Sequence, residues 1–387
     1  MNESVQSRPR AEIVVDLDAI RHNVESLRRR VEGRQMMTVV KADGYGHGLV
    51  PVARAARAGG ADWLGAATME EALALRESGD TGPLLTWLAV PGEDYRPAIE
   101  TGIDVTAYTV AELDEIAAAA REVGAPARVQ FKVDTGLNRG GSSDELWPGL
   151  VAAAARTEAD GTIRVTGIWS HFACSDEPDH PANDVQERAF RAALDVVDAA
   201  GLAPEVCHLC NSAGAVTRPS SWFGMVRCGI ASYGLSPIPQ VRTAAELDLV
   251  PAMTVRGRLA LVKRVPGGSG VSYGHTYVTS RDTTIGVVPM GYGDGIPRHA
   301  SSTAPVLAAG EVRTIAGRVC MDQFVLDLDD DEAGTGDPVV LFGTGADGAP
   351  TAQDWADACD TISYEIVTRI GGRMSRGYVG EHSEEVS

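Results

Sequence analysis

The strongest constraint on the fold is an alternation that recurs from about residue 38 to 230. Eight short apolar runs, "MMTVV", "WLGAA", "LLTWLAV", "DVTAY", "RVQFKV", "RVTGIWS", "EVCHLC" and "MVRCGIA", are each separated by helix-like segments. A strand followed by a helix returns to a strand parallel to the first, so such units build a parallel sheet. Eight of them predict a closed (β/α)8 barrel of the TIM type. An open doubly wound sheet is the alternative built from the same units. Several helix starts carry capping boxes, in which a hydroxyl and a glutamate satisfy orphan amides: Thr68 with Glu71, Thr109 with Glu112, Ser142 with Glu145. The helix body "AELDEIAAAAREVG" ends on Gly124, a C-cap residue.

Near residue 240 the texture changes. "LVPAMTVRGRLALVKRV", "TTIGVVPMGYGDG", "PVLAAGEVRTIAGRV", "QFVLDLDD" and "DPVVLFG" are β-rich and separated by Gly, Pro and Asp turns. The expected organisation is an α/β barrel domain over 12–240 followed by a mostly β domain over 241–380. Residues 1–11 and 381–387 read as flexible tails. Ahead of the barrel, "IVVDLDAIRHNVESLRRRV" holds a strand and then an amphipathic helix with Ile20, Val24, Leu27 and Val31 on one face.

Composition removes several classes of function. The chain has 387 residues, 44% of them hydrophobic, which is ample for a large core. Its 34 Lys and Arg against 53 Asp and Glu give a net charge of -19, which repels phosphate backbones and anionic lipid. Neither nucleic acid nor membrane is expected as a partner. The start "MNESVQSRPRAEIVV" lacks the apolar segment of a secretion signal, and no stretch approaches ~18 continuous apolar residues. Six cysteines show no disulfide framework, and the cytoplasm is the expected location.

In a barrel the chemistry belongs to the C-terminal rim of the strands. The residues expected there are Lys41, Asp134, His171, Asn211 with Ser212, and Arg227 with Gly229. Alone, Lys41 would read as a solvated rim residue, His171 as a hydrogen-bonded core residue, and Arg227 as half of an ion pair. Together they describe a site. A lysine in partly apolar surroundings loses its proton more easily and attacks carbonyls to form Schiff bases. Pyridoxal phosphate is the common aldehyde partner, and its phosphate needs a cup of backbone N–H and hydroxyl donors. "NSAGAV" and "RCGIASYG", after the last two strands, supply small residues of that kind.

Other motifs carry less. "CHLC" is a lone CxxC with no second pair for zinc. "GTGADG" fits GxGxxG, but Ala349 and Pro350 follow it where a helix should open, so it reads as a turn. "HFACSDEPDH" has no defensible metal spacing, and "DLDDDEAGTGD" reads as a solvated turn. No metal is expected.

The stretches "VVKADGYGHG", "KVDTGLNRGG", "GIWSHFACSDE", "NSAGAV", "RCGIASYGLSP", "VSYGHTY", "MGYGDGIP", "AGRVCMDQ" and "SYEIVTRI" run in order from about residue 12 to 375. This succession resembles the alanine racemases. The resemblance implies a pyridoxal 5'-phosphate barrel joined to a β domain, a homodimer whose sites are completed across the interface, and supply of D-alanine for peptidoglycan precursors. It puts the Schiff base on Lys41 and the phosphate on Tyr45, Ser212, Gly229, Ile230 and Tyr364, beside Asn211. Arg227 would face the pyridine nitrogen with His171 coupled to it. Arg139 would reach the cofactor phenolate and the substrate carboxylate. Tyr273 and the backbone of Met321 would enter from the partner subunit. Lys132 matches a lysine carbamylated in some members; a salt bridge to Asp134 or another carboxylate is the alternative. Gly140, Cys228 and Ile296 depart from the family pattern, which expects a larger aliphatic, a proline and an aromatic.

Inverting a stereocentre needs proton removal on one face and delivery on the other. The resemblance assigns the two faces to Lys41 and Tyr273, acting on L- and D-alanine through an external aldimine. A guanidinium does not readily release a proton, so Arg227 would leave the pyridine nitrogen unprotonated and favour quick reprotonation. A racemase of another small amino acid, such as serine, is the near alternative. A decarboxylase of the same architecture would want an acid where Arg227 stands. A non-catalytic cofactor carrier would not need the second domain.

Overall fold

The computed structural model describes residues 9–381. After an initial strand β1 (Ala11–Asp16) come eight parallel strands: β2 (Gln35–Val39), β3 (Trp63–Ala66), β4 (Leu84–Thr86), β5 (Val105–Ala107), β6 (Ala127–Lys132), β7 (Ile163–Trp169), β8 (Val206–His208) and β9 (Met225–Cys228). They form two arcs, β4-β3-β2-β9 and β5-β6-β7-β8. A bridge from Leu85 to Asp104 joins β4 to β5. Hydrogen bonds from Arg227 N to Cys210 O (3.1 Å) and from Gly224 N to Cys207 O (3.0 Å) join β8 to β9. The ring is closed, as the eightfold alternation predicts. The strands read as near-continuous apolar runs because helices cover one face and the barrel interior the other.

Two of the expected capping boxes form. Thr68 Oγ1 accepts from Glu71 N while Glu71 Oε2 accepts from Thr68 N, and Thr109 and Glu112 repeat the arrangement. The third does not. Ser142 N donates to Lys132 O and Ser142 O accepts from Asp134 N, both at 2.8 Å. This bridge recruits Ser142 to the end of β6, and the next helix, Trp147–Ala159, starts later with Pro148 in its first turn.

A six-stranded sheet dominates the second half of the chain. Its order is Glu311–Thr314, Pro305–Ala308, Pro338–Phe342, β10 (Met253–Arg258), β1 and Ser375–Val379. The first strand, grouped with the barrel in the sequence reading, therefore lies inside this sheet. Ile13 faces Val255 of antiparallel β10 on one side and Arg376 of the parallel last strand on the other. Its alternating burial fits a sheet with one packed face. The helix α1 (Leu17–Arg30) then leads into the barrel, capped by Asp16 and buried along Ile20, Val24 and Leu27. Arg10 and Ala11, expected in a tail, are structured: Ala11 opens β1 and Arg10 Nη2 lies 2.8 Å from Asp294 Oδ1. The rest of the expected tails, 1–8 and 382–387, falls outside the described residues, although Glu381 accepts from Arg21. No described helix is long and apolar enough to cross a membrane.

Asp294 ties these ends together. Its fully buried carboxylate receives Arg10, both Nε and Nη2 of Arg373 (3.0 Å each), and the Gly291 N–H (3.1 Å). Burial pushes the carboxyl up, but these donors outweigh it and hold it below the usual carboxylate range. A lowered acid contributes stability above its unfolded pKa and loses it as pH falls through the folded value. Asp294→Asn should cost roughly 2 kcal/mol near neutral pH, read by urea unfolding, with the difference from wild type shrinking under acid conditions.

Candidate active site

Lys41 follows the tip of β2 and opens a tight turn in which Ala42, Asp43, Gly44 and Tyr45 all take left-handed backbone angles (φ 53, 53, 60 and 52°). Three such non-glycine residues cost energy, so the surroundings must impose the shape. Glu71 Oε1 accepts from Ala42 N (2.7 Å), Asp43 Oδ1 accepts from Leu49 N (2.8 Å), and Arg376 Nη1 donates to Asp43 Oδ2 (2.7 Å). The turn thus aims Lys41 into the rim. Burial, then Arg139 and Arg227, lower the pKa of its amine, with Glu71 opposing.

Arg227 sits on β9 and is buried among neutral acceptors. Nη1 lies 2.9 Å from His208 Nδ1, while Nη2 meets Ser170 O (2.8 Å), His171 Nδ1 (2.9 Å) and Leu209 O (3.2 Å). All four bonds run from the terminal nitrogens, and among the described residues none accepts from its Nε. Burial lowers its pKa to about 10, so it remains a cation at neutral pH. Burial and then Arg227 push both histidines well below their ordinary range. Each is neutral and accepts through Nδ1, which places its proton on Nε2. The guanidinium also lies 5.0 Å above the Trp169 ring.

Beside this group lies a hydroxyl-lined cup. Ser212 Oγ accepts from Gly229 N (2.8 Å) and Ala231 N (3.4 Å). The Tyr45 ring lies 6.3 Å from that of Tyr364 and stacks on Tyr233 at 4.7 Å. A Cβ at Gly229 would collide with the Tyr45 hydroxyl, so the glycine keeps the cup open. Ile230 is buried immediately after it. Asn211 spends its side-chain oxygen on Gly214 N (3.1 Å) and Ser175 Oγ (2.8 Å), capping the helix that begins at Ser212.

Arg139 lies on an exposed loop that Asp134 organises by accepting from Gly136, Leu137 and Asn138 N–H groups. Asp134 therefore serves the turn, and no described carboxylate pairs with Lys132. The Lys132 amine instead lies 4.6 Å over Trp169 and 5.6 Å over Tyr108. Burial, then Arg227 and Arg139, lower its pKa to about 8. A Cβ at Gly140 would be 3.6 Å from Lys132 Nζ, ordinary contact, so this glycine leaves room beside the amine.

Tyr273 and Met321 are elsewhere on their own chain. They share a surface cavity of about 600 Å³ with Ser272, Tyr292, Cys320, Asp322 and Gln323, and no barrel-rim residue lines it. Tyr273 is 71% exposed and Met321 55%. Of the residues that depart from the family pattern, Ile296 is fully buried and Cys228 is buried in β9.

Family models for the alanine racemase N-terminal domain and C-terminal domain match residues 15–237 and 252–378. The chain is 55% identical over 372 residues to an alanine racemase of Salinispora arenicola, covering 96% of this chain and 99% of that one. It also superposes on the crystal structure of the alanine racemase of D-cycloserine-producing Streptomyces lavendulae with a TM-score of 0.96, at 53% identity, covering 97% and 98% of the two chains. The alanine racemase of Streptomyces coelicolor A3(2) gives 0.95 at 53% identity, over 96% and 98%. The chain belongs to the alanine racemase family.

Alanine racemases depend on pyridoxal 5'-phosphate, and the site's own chemistry fits that group. It offers an amine of lowered pKa, a guanidinium with an unengaged Nε edge, and a cup kept open by the missing side chain of Gly229. Reading the sequence missed His208, Trp169 and Glu71. His208 and Trp169 lie inside strands taken as apolar, and only the presence of ring nitrogens at buried strand positions marked them. Gly229→Ala should weaken binding of pyridoxal 5'-phosphate about tenfold, measured by absorbance titration of the cofactor-depleted protein.

Proposed function

We propose that this protein interconverts L-alanine and D-alanine, with Lys41 and Tyr273 as the two proton-transfer groups on opposite faces of the substrate Cα. When bound, the cofactor supplies a conjugated ring that takes up the electron pair released at that carbon. Lys41 would hold the cofactor, and its Nζ moves a proton on one face of the substrate Cα. Its lowered pKa makes the neutral amine available. Tyr45, Ser212, Gly229, Ile230 and Tyr364 would hold the phosphate. Arg139 draws in the substrate carboxylate.

The observation that carries this reading is the setting of Arg227. A buried guanidinium between two neutral histidines has, among the described residues, no acid beside it to hand a proton to the ring nitrogen. With no proton supplied by Arg227, the bound ring would be a weak electron sink, and return of a proton to Cα would be favoured over loss of CO2 or transfer of the amine. A decarboxylase would be expected to place a carboxylate there.

The second face comes from another copy of the chain. Tyr273, Met321 and Tyr292 form an exposed, partly apolar surface around a cavity, as expected of a patch that closes a partner's barrel mouth. The functional unit is then a homodimer with two shared sites. All six cysteines are free thiols, which supports a cytoplasmic location where D-alanine enters peptidoglycan precursors.

Lys132 supports one further element. A neutral amine of pKa about 8, without a carboxylate partner, adds to CO2 to form a carbamate and release a proton. The carbamate would supply the negative charge that Arg139 otherwise lacks. The buried Trp169 indole N–H, which has no acceptor among the described residues, favours an anion in the same pocket.

Chiral chromatography should show L-alanine converted to an equal mixture of enantiomers; product containing only CO2 and amine would overturn the assignment. Lys41→Ala and Tyr273→Phe should each lose at least about 1000-fold in kcat, yet a refolded equimolar mixture should regain about a quarter of wild-type activity through the one intact site of each heterodimer. No recovery would exclude shared sites. Protein equilibrated with ¹³C-bicarbonate should show a carbamate carbon signal that Lys132→Ala lacks.

A further inference from the structure

Behind Arg227 the barrel interior carries a polar chain that the proton transfers do not use. His208 Nε2 lies 2.8 Å from Gln130 Oε1, and Gln130 Nε2 donates to Asp104 Oδ2 at 3.0 Å. Arg128 Nε donates to Asp104 Oδ1 at 2.6 Å, and Thr166 Oγ1 donates to Asp104 Oδ2 as well. His208, Gln130, Thr166 and Asp104 are all buried, drawn from β8, β6, β7 and the bridge before β5. Four polar side chains in a barrel core are costly unless every donor meets an acceptor. Here each does, and the chain of bonds has a direction.

The direction starts at Asp104. Burial raises the pKa of the Asp104 carboxyl, but the Arg128 cation at 2.6 Å favours its ionised form, and a carboxylate can only accept. Gln130 must therefore turn its amide N–H toward Asp104 and its carbonyl toward His208. The carbonyl can only accept, so His208 must carry its proton on Nε2. Its bare Nδ1 then faces Arg227 Nη1. Reversing any link would set donor against donor at the guanidinium.

We infer that Asp104 and Gln130 are positioning residues that lock His208 in its Nε2–H tautomer and thereby aim Arg227 at the ring nitrogen of the cofactor. This rests on the reading of Arg227 given above. In Asp104→Asn the strongest donor, the Arg128 cation, takes the amide oxygen. The new NH2 then faces Gln130, which flips. His208 loses its acceptor at Nε2, moves its proton to Nδ1 and breaks contact with Arg227. In Gln130→Met the bias on His208 disappears without reversal.

The test is ¹⁵N NMR of the holoenzyme labelled at its eight histidines, with His208 assigned by substitution, alongside steady-state kinetics and the cofactor absorption spectrum. Wild type should show His208 neutral and protonated at Nε2. Asp104→Asn should invert that tautomer, lower kcat by about tenfold or more with KM within about threefold, and raise a long-wavelength band with transamination product. Gln130→Met should give mixed tautomers and a smaller loss. An Nδ1–H or charged His208 in wild type overturns the inference without any variant. So does loss of activity or of melting temperature in the variants while His208 stays Nε2–H. A wild-type protein that racemises nothing would overturn the proposed function and leave the His208 measurement standing.

Discussion

The site depends on one buried cation with no anion beside it among the described residues. Arg227 has four acceptors on its terminal nitrogens, all neutral: two imidazoles and two backbone carbonyls. Hydrogen bonds of this kind offset part of the cost of burying a charge, but they do not cancel its field. The consequences appear on every titratable neighbour. Burial and the Arg227 charge together keep His171 and His208 neutral and lower the pKa of Lys132, and the same charge adds to burial and Arg139 at Lys41. A chain of net charge -19 thus concentrates a positive pocket at its barrel mouth. That pocket suits a dianionic phosphate and a substrate carboxylate, which an acidic exterior would otherwise repel.

How much of this could be seen in the residues follows from the range of the interactions. The eight barrel strands were legible because each is a local apolar run bounded by local caps, and the capping boxes at Thr68 and Thr109 formed as their spacing implied. The failures are non-local. Ser142 fits a capping box by spacing, yet pairing with β6 took it first. β1 precedes the barrel in the chain but lies between two strands from the far end of it, a pairing no local signal encodes. Lys132 and Asp134 are two apart, which suggests an ion pair, but β6 ends at Lys132 and Asp134 falls in the turn that follows, where its carboxylate accepts from the turn's own N–H groups.

The polar residues of the barrel core are an intermediate case. Gln130, Thr166 and His208 each interrupt a strand that must be buried on both faces, and Asp104 stands at the entry to another. In a parallel barrel such residues have nowhere to reach water, so each requires a partner from a neighbouring strand. The signal was in the residues; the partners became identifiable only when closure brought β6, β7 and β8 together.

The glycine-rich loop after Lys41 joins these themes. Gly46 and Gly48 have positive φ, but conformational freedom is only half of their role. A Cβ on Gly46 would strike the Val367 carbonyl, and one on Gly48 would strike the Tyr378 hydroxyl. Both partners belong to the last hundred residues of the chain, as do Arg376, which clasps Asp43, and Tyr364, which leans on Tyr45. The C-terminal segment thus packs directly against the turn that aims Lys41, and β1 holds that segment in the same sheet as β10. The second domain is therefore more than a carrier of Tyr273: it braces the lysine on its own protomer. A rigid lysine turn matters because a proton must leave and return along opposite directions at one carbon, and a displacement of the amine would cost alignment on its face.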